Sequence, residues 1–440
     1  MRSKISKGRL IFGLSIMAIL GAVWAMCGCL GKQQLEARPI EIPAEAIELV
    51  EGEDYIRLEG TTVQCLGCLN RCVLDDGGRG ICGERENRGG RLYLMDPEAV
   101  KDPSLREAMF YRKLGDKRVW CQMCFRKCII PEGERGFCRN RENRKGTLYN
   151  LVHGKPSAIH IDPIEKEPQF HMLPGTEILC FGTAGCNFRC RFCQNWHLSQ
   201  RSLEEIGYYY DAPPEKAVET AIERGIPTIS FTYNEPTSFY EYMYDIARLA
   251  KAKGLRVLFH SNGSMNPEPL RELLKYTDAV TIDLKGFTDE FYQGASSAEL
   301  EPVLRTLKII KEEGVWLEIV NLVIPTLNDD PEDIRAMCEW IKENLGPDVP
   351  LHFTRFFPAY RLTNLPPTPI ETLEMAREIA VDVGLRYVYI GNAPGHKYNS
   401  TFCPKCGKVL IHRIHFMVLE NNIEEGRCRF CGYEIPGIWE

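Results

Sequence analysis

The 440-residue sequence has no excess of positive charge, because 60 acidic residues outnumber 54 Lys and Arg and give a net charge of −6. Sequence-independent affinity for nucleic acid comes from Lys and Arg neutralising phosphates, so a nucleic-acid partner is not expected. The chain also lacks Gln/Asn and Pro-Gly tracts. Its composition, 44% hydrophobic and 26% charged, is that of a globular protein rather than a disordered or fibrous one.

Cysteine, in contrast, is abundant: the chain has 19, almost all in tight groups. Cysteines two or three residues apart can converge on one ion with little backbone rearrangement. The spacing therefore predicts metal sites in a reducing environment rather than a disulfide framework. Cys27, Cys29, Cys180 and Cys338 fall outside the four groups and are expected to serve as small apolar residues.

The N-terminus carries four basic residues within its first nine, followed by an uncharged apolar run from Leu10 to Leu30. Such a run is long enough to cross a bilayer as a helix, so it predicts a membrane anchor or an export signal. The residues before Cys29 resemble a lipoprotein cleavage site only loosely, and lipidation is the less favoured alternative. Under the positive-inside rule, the basic flank stays in the cytoplasm and the rest of the chain lies outside.

A four-cysteine pattern then occurs twice, with the same spacing and the same Arg-Gly pair before its last cysteine. This is an internal tandem repeat. Four thiolates on a loop-rich segment can surround a zinc ion or hold an iron–sulfur cluster, and a structural metal is favoured over an auxiliary cluster. The two sets are Cys65, Cys68, Cys72 and Cys82, and Cys121, Cys124, Cys128 and Cys138.

From about Ile178 onward, short apolar segments alternate with amphipathic segments of helical period. This alternation predicts parallel strands joined by right-handed helical crossovers, and hence an α/β fold with a full or partial barrel. Functional residues of such barrels lie where strands end. The predicted strands are Ile178–Phe181, Thr228–Tyr233, Arg256–His260, Ala279–Leu284, Trp316–Ile324, Leu351–Phe356 and Tyr387–Ile390.

A three-cysteine motif, Cys186-x3-Cys190-x2-Cys193, lies just beyond the first of these strands. Three thiolates on a short loop can ligate three irons of a cubane and leave the fourth open. The alternative, a zinc knuckle that borrows a fourth ligand, is less favoured in a barrel context.

This motif and its position resemble the signature of the radical S-adenosylmethionine (SAM) superfamily, and further strand-end residues fit the resemblance. It implies a partial (β/α)6-type barrel, a 4Fe-4S cluster on the three cysteines, and SAM as cofactor. It also implies that Phe192 packs near adenine, that Glu235 contacts the SAM amino group, and that Asp283-x-Lys285 helps to hold SAM, as in pyruvate formate-lyase activating enzymes. The predicted cofactor-binding residues are Phe192, Asn234, Glu235, Asn262, Asp283, Lys285 and His352.

The C-terminal region carries two Cys-x2-Cys-Gly turns, which each present two sulfurs to one metal. They predict a zinc-ribbon-like domain that closes the end of the barrel. Its predicted zinc ligands are Cys403, Cys406, Cys428 and Cys431.

The arrangement from Cys121 onward resembles the radical SAM enzyme of the AmmeMemoRadiSam system, although that family ordinarily has one N-terminal cysteine module. Supporting strings include Cys193-Gln194-Asn195-Trp196 and Tyr233-Asn234-Glu235-Pro236-Thr237. The resemblance implies AMMECR1-like and Memo-like partners and a low-potential electron donor such as ferredoxin or flavodoxin. The predicted domains are a membrane or signal segment with linker (1–45), two cysteine modules (46–100 and 101–160), the barrel (161–400) and the ribbon (401–440).

The predicted activity is reductive cleavage of SAM to methionine and a 5'-deoxyadenosyl radical, which abstracts hydrogen from an unidentified substrate and modifies a protein as glycyl-radical activases do. The alternative, a zinc-knuckle module that binds nucleic acid or protein without catalysis, leaves Glu235, Lys285 and the barrel unexplained. The supply of SAM and of low-potential electrons favours a location on the cytoplasmic face of a membrane, whereas the positive-inside rule favours a location outside the cytoplasm.

Overall fold

A computed structural model describes residues 105–440 continuously and, before them, residues 37–39, 49–51, 55–58, 60–65, 73–78 and 85–95. Within these ranges, no helix combines the length and apolar character needed to cross a membrane. The segment Leu10 to Leu30, on which the anchor prediction rests, lies outside the described residues.

The tandem repeat appears in the structure as two copies of one strand arrangement. In each copy, one antiparallel three-stranded sheet flanks the first three cysteines, and a second pairs the copy's first strand with the two strands that follow its fourth cysteine. The first copy comprises β2 (Leu49–Glu51), β3 (Tyr55–Arg57), β4 (Val63–Cys65), β5 (Val73–Leu74), β6 (Arg85–Arg88) and β7 (Arg91–Met95), after β1 (Ala37–Pro39). The second comprises β8 (Arg106–Glu107), β9 (Tyr111–Lys113), β10 (Val119–Cys121), β11 (Ile129–Ile130), β12 (Arg141–Arg144) and β13 (Thr147–Asn150).

An equivalent buried asparagine stabilises each copy internally. Asn87 Nδ2 donates to the carbonyl oxygen of Leu74 over 2.8 Å, and Asn143 Nδ2 donates to that of Ile130 over the same distance. Each copy therefore satisfies the buried carbonyl of its fourth strand, β5 or β11, in the same way, which explains why Asn recurs in the Arg-Glu-Asn-Arg strings. Among the cysteines of the first copy, Cys65 ends β4, whereas Cys68, Cys72 and Cys82 lie outside the described residues.

The barrel is an open sheet of seven parallel strands with one antiparallel strand at its edge. The parallel strands are nearly continuous apolar runs because both of their faces are covered, and all seven predicted strands are confirmed to within one or two residues. The edge strand was not predicted. In order, the sheet contains β14 (Ala158–Pro163, antiparallel), β15 (Glu177–Gly182), β17 (Thr228–Phe231), β18 (Arg256–Ser261), β19 (Ala279–Asp283), β20 (Trp316–Val323), β21 (Leu351–Arg355) and β22 (Val388–Gly391); β16 (Tyr208–Tyr210) pairs with β1 instead.

Helices return the chain between strands, and their apolar faces pack on the outside of the sheet. Four of the six helices of eight or more residues have proline in the first turn, where a missing N–H costs nothing. The helices are α1 (Trp196–Ser199), α2 (Leu203–Ile206), α3 (Pro214–Glu223), α4 (Tyr240–Ala252), α5 (Pro267–Leu274), α6 (Asp289–Phe291), α7 (Glu301–Glu312), α8 (Pro331–Leu345) and α9 (Ile370–Val383), with 3-10 turns at Ile164–Lys166, Pro236–Phe239 and Lys397–Asn399 and a π turn at Tyr292–Ser296.

The loop before β15 fills the amino-terminal end of the barrel. Phe170 and His171 are buried there, and their backbone N–H groups donate to the carboxylate of Glu318 on β20 over 2.9 and 2.8 Å. His171 Nε2 lies 2.6 Å from the hydroxyl of Tyr389 on β22. A polar network therefore closes this end.

The C-terminal ribbon contacts both edges of the open sheet. Arg413 forms a fully buried ion pair with Glu165, just after β14, over 3.4 Å, and Thr401 Oγ1 lies 3.0 Å from the hydroxyl of Tyr389 on β22. The ribbon was expected to close the barrel's end, and its last residues do lie there: Pro436 and Ile438 bond to His171, and the Glu440 carbonyl oxygen accepts from Arg256 at the start of β18. The ribbon also bridges the open side between the first and last strands. Its strands are β23 (Thr401–Phe402), β24 (Val409–Ile414), β25 (Met417–Asn421), β26 (Ile423–Glu424) and β27 (Arg427–Cys428).

Candidate active site

The three-cysteine loop leaves the carboxyl end of β15 through Thr183, Ala184 and Gly185. Asn234, which follows β17, holds this turn: its Oδ1 accepts from the Thr183 N–H over 2.9 Å, and its Nδ2 donates to the carbonyl oxygens of Ala184 and Gly185 over 2.9 and 2.8 Å. Asn234 was predicted to bind cofactor. Its amide instead orients the loop that presents Cys186, although it also lines the cavity described next.

A cavity of about 460 Å³ opens at the carboxyl ends of the barrel strands. It collects Cys186, Cys190 and Cys193 on one wall together with six of the seven predicted cofactor-binding residues. Those six are Phe192, Asn234, Glu235, Asn262, Asp283 and Lys285. Residues far apart in the sequence thus meet at one site because parallel strands end at the same edge.

The three thiols are well shielded from solvent. Burial raises the pKa of Cys190 to about 11 and that of Cys186 well above its ordinary value. Buried thiols of this kind are poor free nucleophiles, and metal binding is the chemistry that stabilises them as thiolates. The donor set and its position on a cavity wall therefore fit a cluster with three cysteine ligands.

Glu235 is 2% exposed and its carboxylate is held by the ends of two strands. Its Oε1 accepts from Thr237 N, Thr237 Oγ1 and Ser261 Oγ over 3.0, 2.6 and 2.8 Å, and its Oε2 accepts from Asn262 N over 2.8 Å. Burial raises the pKa of Glu235, although these hydrogen bonds oppose the shift. The carboxylate is thus fixed in orientation before any ligand arrives.

Asp283 and Lys285 form an ion pair of 2.6 Å beside Cys190, and His260 extends it. His260 Nε2 lies 3.1 Å from Asp283 and its Nδ1 lies 3.4 Å from Glu167. Burial opposes the charged imidazole, but the two carboxylates outweigh it and raise the pKa of His260 to about 10. Four charged side chains therefore alternate in sign along this wall.

Asn262 links two loops at the cavity edge. Its Nδ2 donates to Asn187 Oδ1 over 2.8 Å, and its Oδ1 accepts from Ser264 Oγ over 2.7 Å. Phe192 is 4% exposed and packs against Phe291 with ring centroids 6.0 Å apart. Both side chains lie next to the cysteines, and their predicted contacts with adenine and ribose stay predictions.

The expectation that His352 faces the cavity is wrong. Its imidazole is 1% exposed, lies 2.7 Å from the Glu318 carboxylate and stacks on Tyr389. On β21, Thr354 rather than His352 lines the cavity. The two residues point to the same side of the strand, but His352 lies one step deeper, in the network that closes the amino end.

Sequence reasoning missed several cavity residues. Tyr233 has a positive φ of 69° and donates its hydroxyl proton to Asp162 over 2.6 Å, so the turn before Glu235 is tied to the edge strand. Phe416, at the tip of the β24–β25 hairpin, brings the ribbon to the cavity rim. No periodicity marks Phe416, whereas His260 could have been suspected because it ends a strand.

The four ribbon cysteines form a compact group. Cys403 Sγ lies 3.6 Å from Cys431 Sγ, and Cys406 Sγ lies 3.8 Å from Cys428 Sγ. Tetrahedral coordination at a Zn–S distance of about 2.3 Å places sulfurs about 3.8 Å apart. The group can therefore hold a metal ion without rearrangement.

Comparison with known proteins agrees with this geometry. The model of the radical SAM superfamily matches residues 181–341. An uncharacterised protein of Methanocaldococcus jannaschii is 49% identical over 333 residues, which cover 75% of this chain and 99% of the relative. The pyruvate formate-lyase-activating enzyme of Listeria monocytogenes is 27% identical over 183 residues, or 38% of this chain and 71% of that enzyme. The pyruvate formate-lyase 1-activating enzyme of Escherichia coli is 23% identical and covers 49% and 93% of the two chains.

Solved structures are more distant. A domain of a pyruvate formate-lyase-activating enzyme from Bacteroides vulgatus has a TM-score of 0.33 at 20% identity and covers 37% of this chain and 98% of that domain. Streptococcus suis SuiB bound to S-adenosylmethionine has a TM-score of 0.41 at 13% identity and covers 52% and 53% of the two chains.

Proposed function

The chain belongs to the radical SAM superfamily, and on that premise we propose that Cys186, Cys190 and Cys193 hold the 4Fe-4S cluster with which this enzyme cleaves SAM. The observation that carries the proposal is the convergence of these three thiols on one cavity wall at the carboxyl end of the barrel. When bound, a cluster with three cysteine ligands supplies an open iron for SAM and the electron that cleaves it.

We assign the other side chains that line the cavity to the remaining parts of SAM. The buried carboxylate of Glu235 suits the ammonium group, because a charge-assisted hydrogen bond is strong where water is excluded. The Asp283–Lys285 pair and Asn262 offer donors and acceptors to the carboxylate and ribose, and Phe192 offers an apolar face to adenine. Asn234 acts on SAM only through the cysteine loop that it holds.

Anaerobic reconstitution with iron and sulfide tests this function. The chain should convert SAM to 5'-deoxyadenosine and methionine when dithionite is added. A cluster whose absorption does not bleach with dithionite, or the absence of both products, would contradict the proposal.

For the substrate, we propose protein modification of the glycyl-radical-activase kind. It is supported by the names of relatives, which are pyruvate formate-lyase-activating enzymes, and by the Asp283-x-Lys285 ion pair. Lysate proteins from cells grown on glycine deuterated at Cα should transfer deuterium into 5'-deoxyadenosine. Transfer only from the small-molecule fraction of that lysate would point to a different substrate class.

We further propose a flavodoxin or ferredoxin as electron donor, AMMECR1-like and Memo-like proteins as partners, and zinc in the ribbon. The last is supported by the sulfur distances of 3.6 and 3.8 Å. Anaerobic co-purification tests the partners, and zinc analysis of a chain lacking the four ribbon thiols tests the metal.

Membrane attachment through Leu10 to Leu30 stays a prediction. Fractionation of cells that express the full chain or a form without residues 1–36 would test it.

A further inference from the structure

The four cysteines of the second module line one small cavity. Cys121, Cys124, Cys128 and Cys138 border it together with apolar and polar side chains. Cys121 and Cys124 are buried, and the other two thiols are partly buried. Four thiols thus face a common interior although a loop of nine residues separates the third from the fourth.

The spacing of these sulfurs differs from that in the ribbon. In the part of the chain that the structure describes, only the ribbon cysteines form a group of three or more His, Cys, Asp or Glu whose ligand atoms all lie within 4.8 Å of one another. No three sulfurs of the second module meet that spacing, and neither do Cys186, Cys190 and Cys193. In both motifs, every set of three sulfurs therefore contains at least one pair more than 4.8 Å apart.

This difference bears on the metal. Sulfurs around one zinc ion lie about 3.8 Å apart, whereas a cubane places four irons between its thiolates and holds them farther apart. We propose that Cys121, Cys124, Cys128 and Cys138 hold a second four-iron cluster, in place of the structural zinc that their spacing in the sequence favours. With cysteine on all four irons, this cluster has no open position for SAM.

Two arginines border the space. A carboxylate already neutralises Arg141, so Arg126 is the cation that can balance part of the negative charge of such a cluster. Arg141 is 1% exposed and forms a bidentate ion pair with Glu241 over 2.6 and 2.8 Å. Arg126 stacks over Phe137 at 3.9 Å and donates to the carbonyl oxygen of Asn187 over 3.0 Å. Buried cations next to a thiolate cage lower the cost of placing charge there.

The second module lies directly against the three-cysteine loop. A Cβ on Gly185 would lie 2.2 Å from the carbonyl oxygen of Cys138, so only glycine permits this approach. Asn187, the residue after Cys186, also lines the space around the module's thiols. Phe125 and Phe188 meet edge to face with centroids 5.7 Å apart. The two cysteine sites are separated by a single layer of residues.

This contact suggests that the second cluster transfers electrons to the three-cysteine site. That role rests on the proposed function of the three-cysteine cluster. When bound, the second cluster would take one electron from a flavodoxin-type donor and pass it to the SAM-cleaving site, and Asn187, which borders both cysteine sites, would lie between them. Each SAM cleaved therefore consumes one electron from the donor.

Metal analysis of the full chain tests the cluster. Replacing all four thiols of the module with alanine should remove about four irons and no zinc, whereas the same replacement in the ribbon should remove about one zinc and no iron. Loss of zinc from the module variant, or no loss of either metal, would overturn the proposal.

Replacing the module's four thiols could unfold the chain, so a second variant leaves them intact. Alanine at the other seven candidate iron-ligating thiols (Cys65, Cys68, Cys72, Cys82, Cys186, Cys190 and Cys193) should leave about four irons, four sulfides and a dithionite-reducible paramagnetic signal. A chain without iron would refute the second cluster. Because this variant lacks the three-cysteine motif, its result does not depend on SAM cleavage.

The relay is tested by changing the reductant. In the module variant, cleavage driven by reduced flavodoxin should fall at least tenfold more than cleavage driven by dithionite, which is small enough to reach the main site directly. Equal losses with the two reductants would exclude a relay. Absence of cleavage by the unaltered chain under both would instead refute the proposed function.

Discussion

The two ends of the barrel both contain buried, charged side chains, but they use them differently. At the carboxyl end, Lys285, Asp283 and His260 line a cavity with three thiols. At the amino end, Glu318 and His352 pair with each other and with the loop that fills the barrel. Polar groups that satisfy one another stabilise a fold, whereas polar groups that border an open space can bind a ligand.

The largest difference between the ends should appear on removal of a thiol. Cys186→Ala, Cys190→Ala or Cys193→Ala should reduce SAM cleavage below detection, because each removes a ligand of the iron cluster. Cys338→Ala is the matched control, since Cys338 is fully buried in α8 and should retain iron and activity. Measurable turnover by a chain lacking all three thiols would show that the carboxyl end is not the reaction site.

Glu318→Ala should have its main effect on stability. The carboxylate accepts from two backbone N–H groups and from Trp316 Nε1, and it lies 2.7 Å from His352. Its removal leaves these donors buried without an acceptor, which should lower the free energy of unfolding by about 3–5 kcal/mol. Urea unfolding measures this loss, and Glu318→Gln, which keeps one acceptor oxygen, should lose less. A Glu318→Ala chain of normal stability that no longer binds SAM would reverse the roles of the two ends.

The His352 error shows what a strand pattern can and cannot reveal. Alternation indicates which residues of β21 face the interior, and His352 and Thr354 do share that face. Depth along the barrel depends on the loop that carries Phe170 and His171, which precedes β15 in sequence but packs against β20 and β22. That packing is tertiary and leaves no periodic signal near His352.

Other parts of the site were predictable because their signals are local. The cysteine spacing, the apolar strand runs and the polar residues directly after them indicated the cavity wall. Two of the four hydrogen bonds that fix Glu235 come from Ser261 and Asn262 at the end of a neighbouring strand, and Phe416 arrives from the ribbon. Contacts of this kind depend on how distant segments pack, so a single sequence contains no direct sign of them.

The two ends should respond to pH in opposite directions. Burial, partly opposed by Glu318, lowers the pKa of His171 to about 4, whereas nearby carboxylates raise that of His260 to about 10. The stability from keeping His171 neutral is complete above pH ~6.5 and is lost as pH falls toward 4, on the order of 3 kcal/mol. The stability from charged His260 is complete below pH ~6.5 and is lost as pH rises toward 10.

Urea unfolding of the unaltered chain, His171→Gln and His260→Gln across this pH range separates the two contributions. His171→Gln should flatten the acid side of the stability profile and His260→Gln the alkaline side. Parallel profiles for all three chains would mean that neither histidine titrates as its surroundings imply.

The smallest effect concerns Glu235, which combines features of both ends because it is internally bonded yet lines the cavity. Glu235→Gln removes the charge while keeping the shape, so it should weaken SAM binding by about 1–2 kcal/mol, or roughly tenfold, if the carboxylate meets the SAM ammonium. Ser261→Ala is the control, because it removes one of the four hydrogen bonds to Glu235 and leaves the charge; its effect should stay below about threefold. Calorimetry on the reconstituted protein measures both affinities. If the two variants weaken SAM binding equally, Glu235 acts by holding the Ser261–Asn262 turn, and its carboxylate belongs with Glu318 as a structural group rather than with the ligands of SAM.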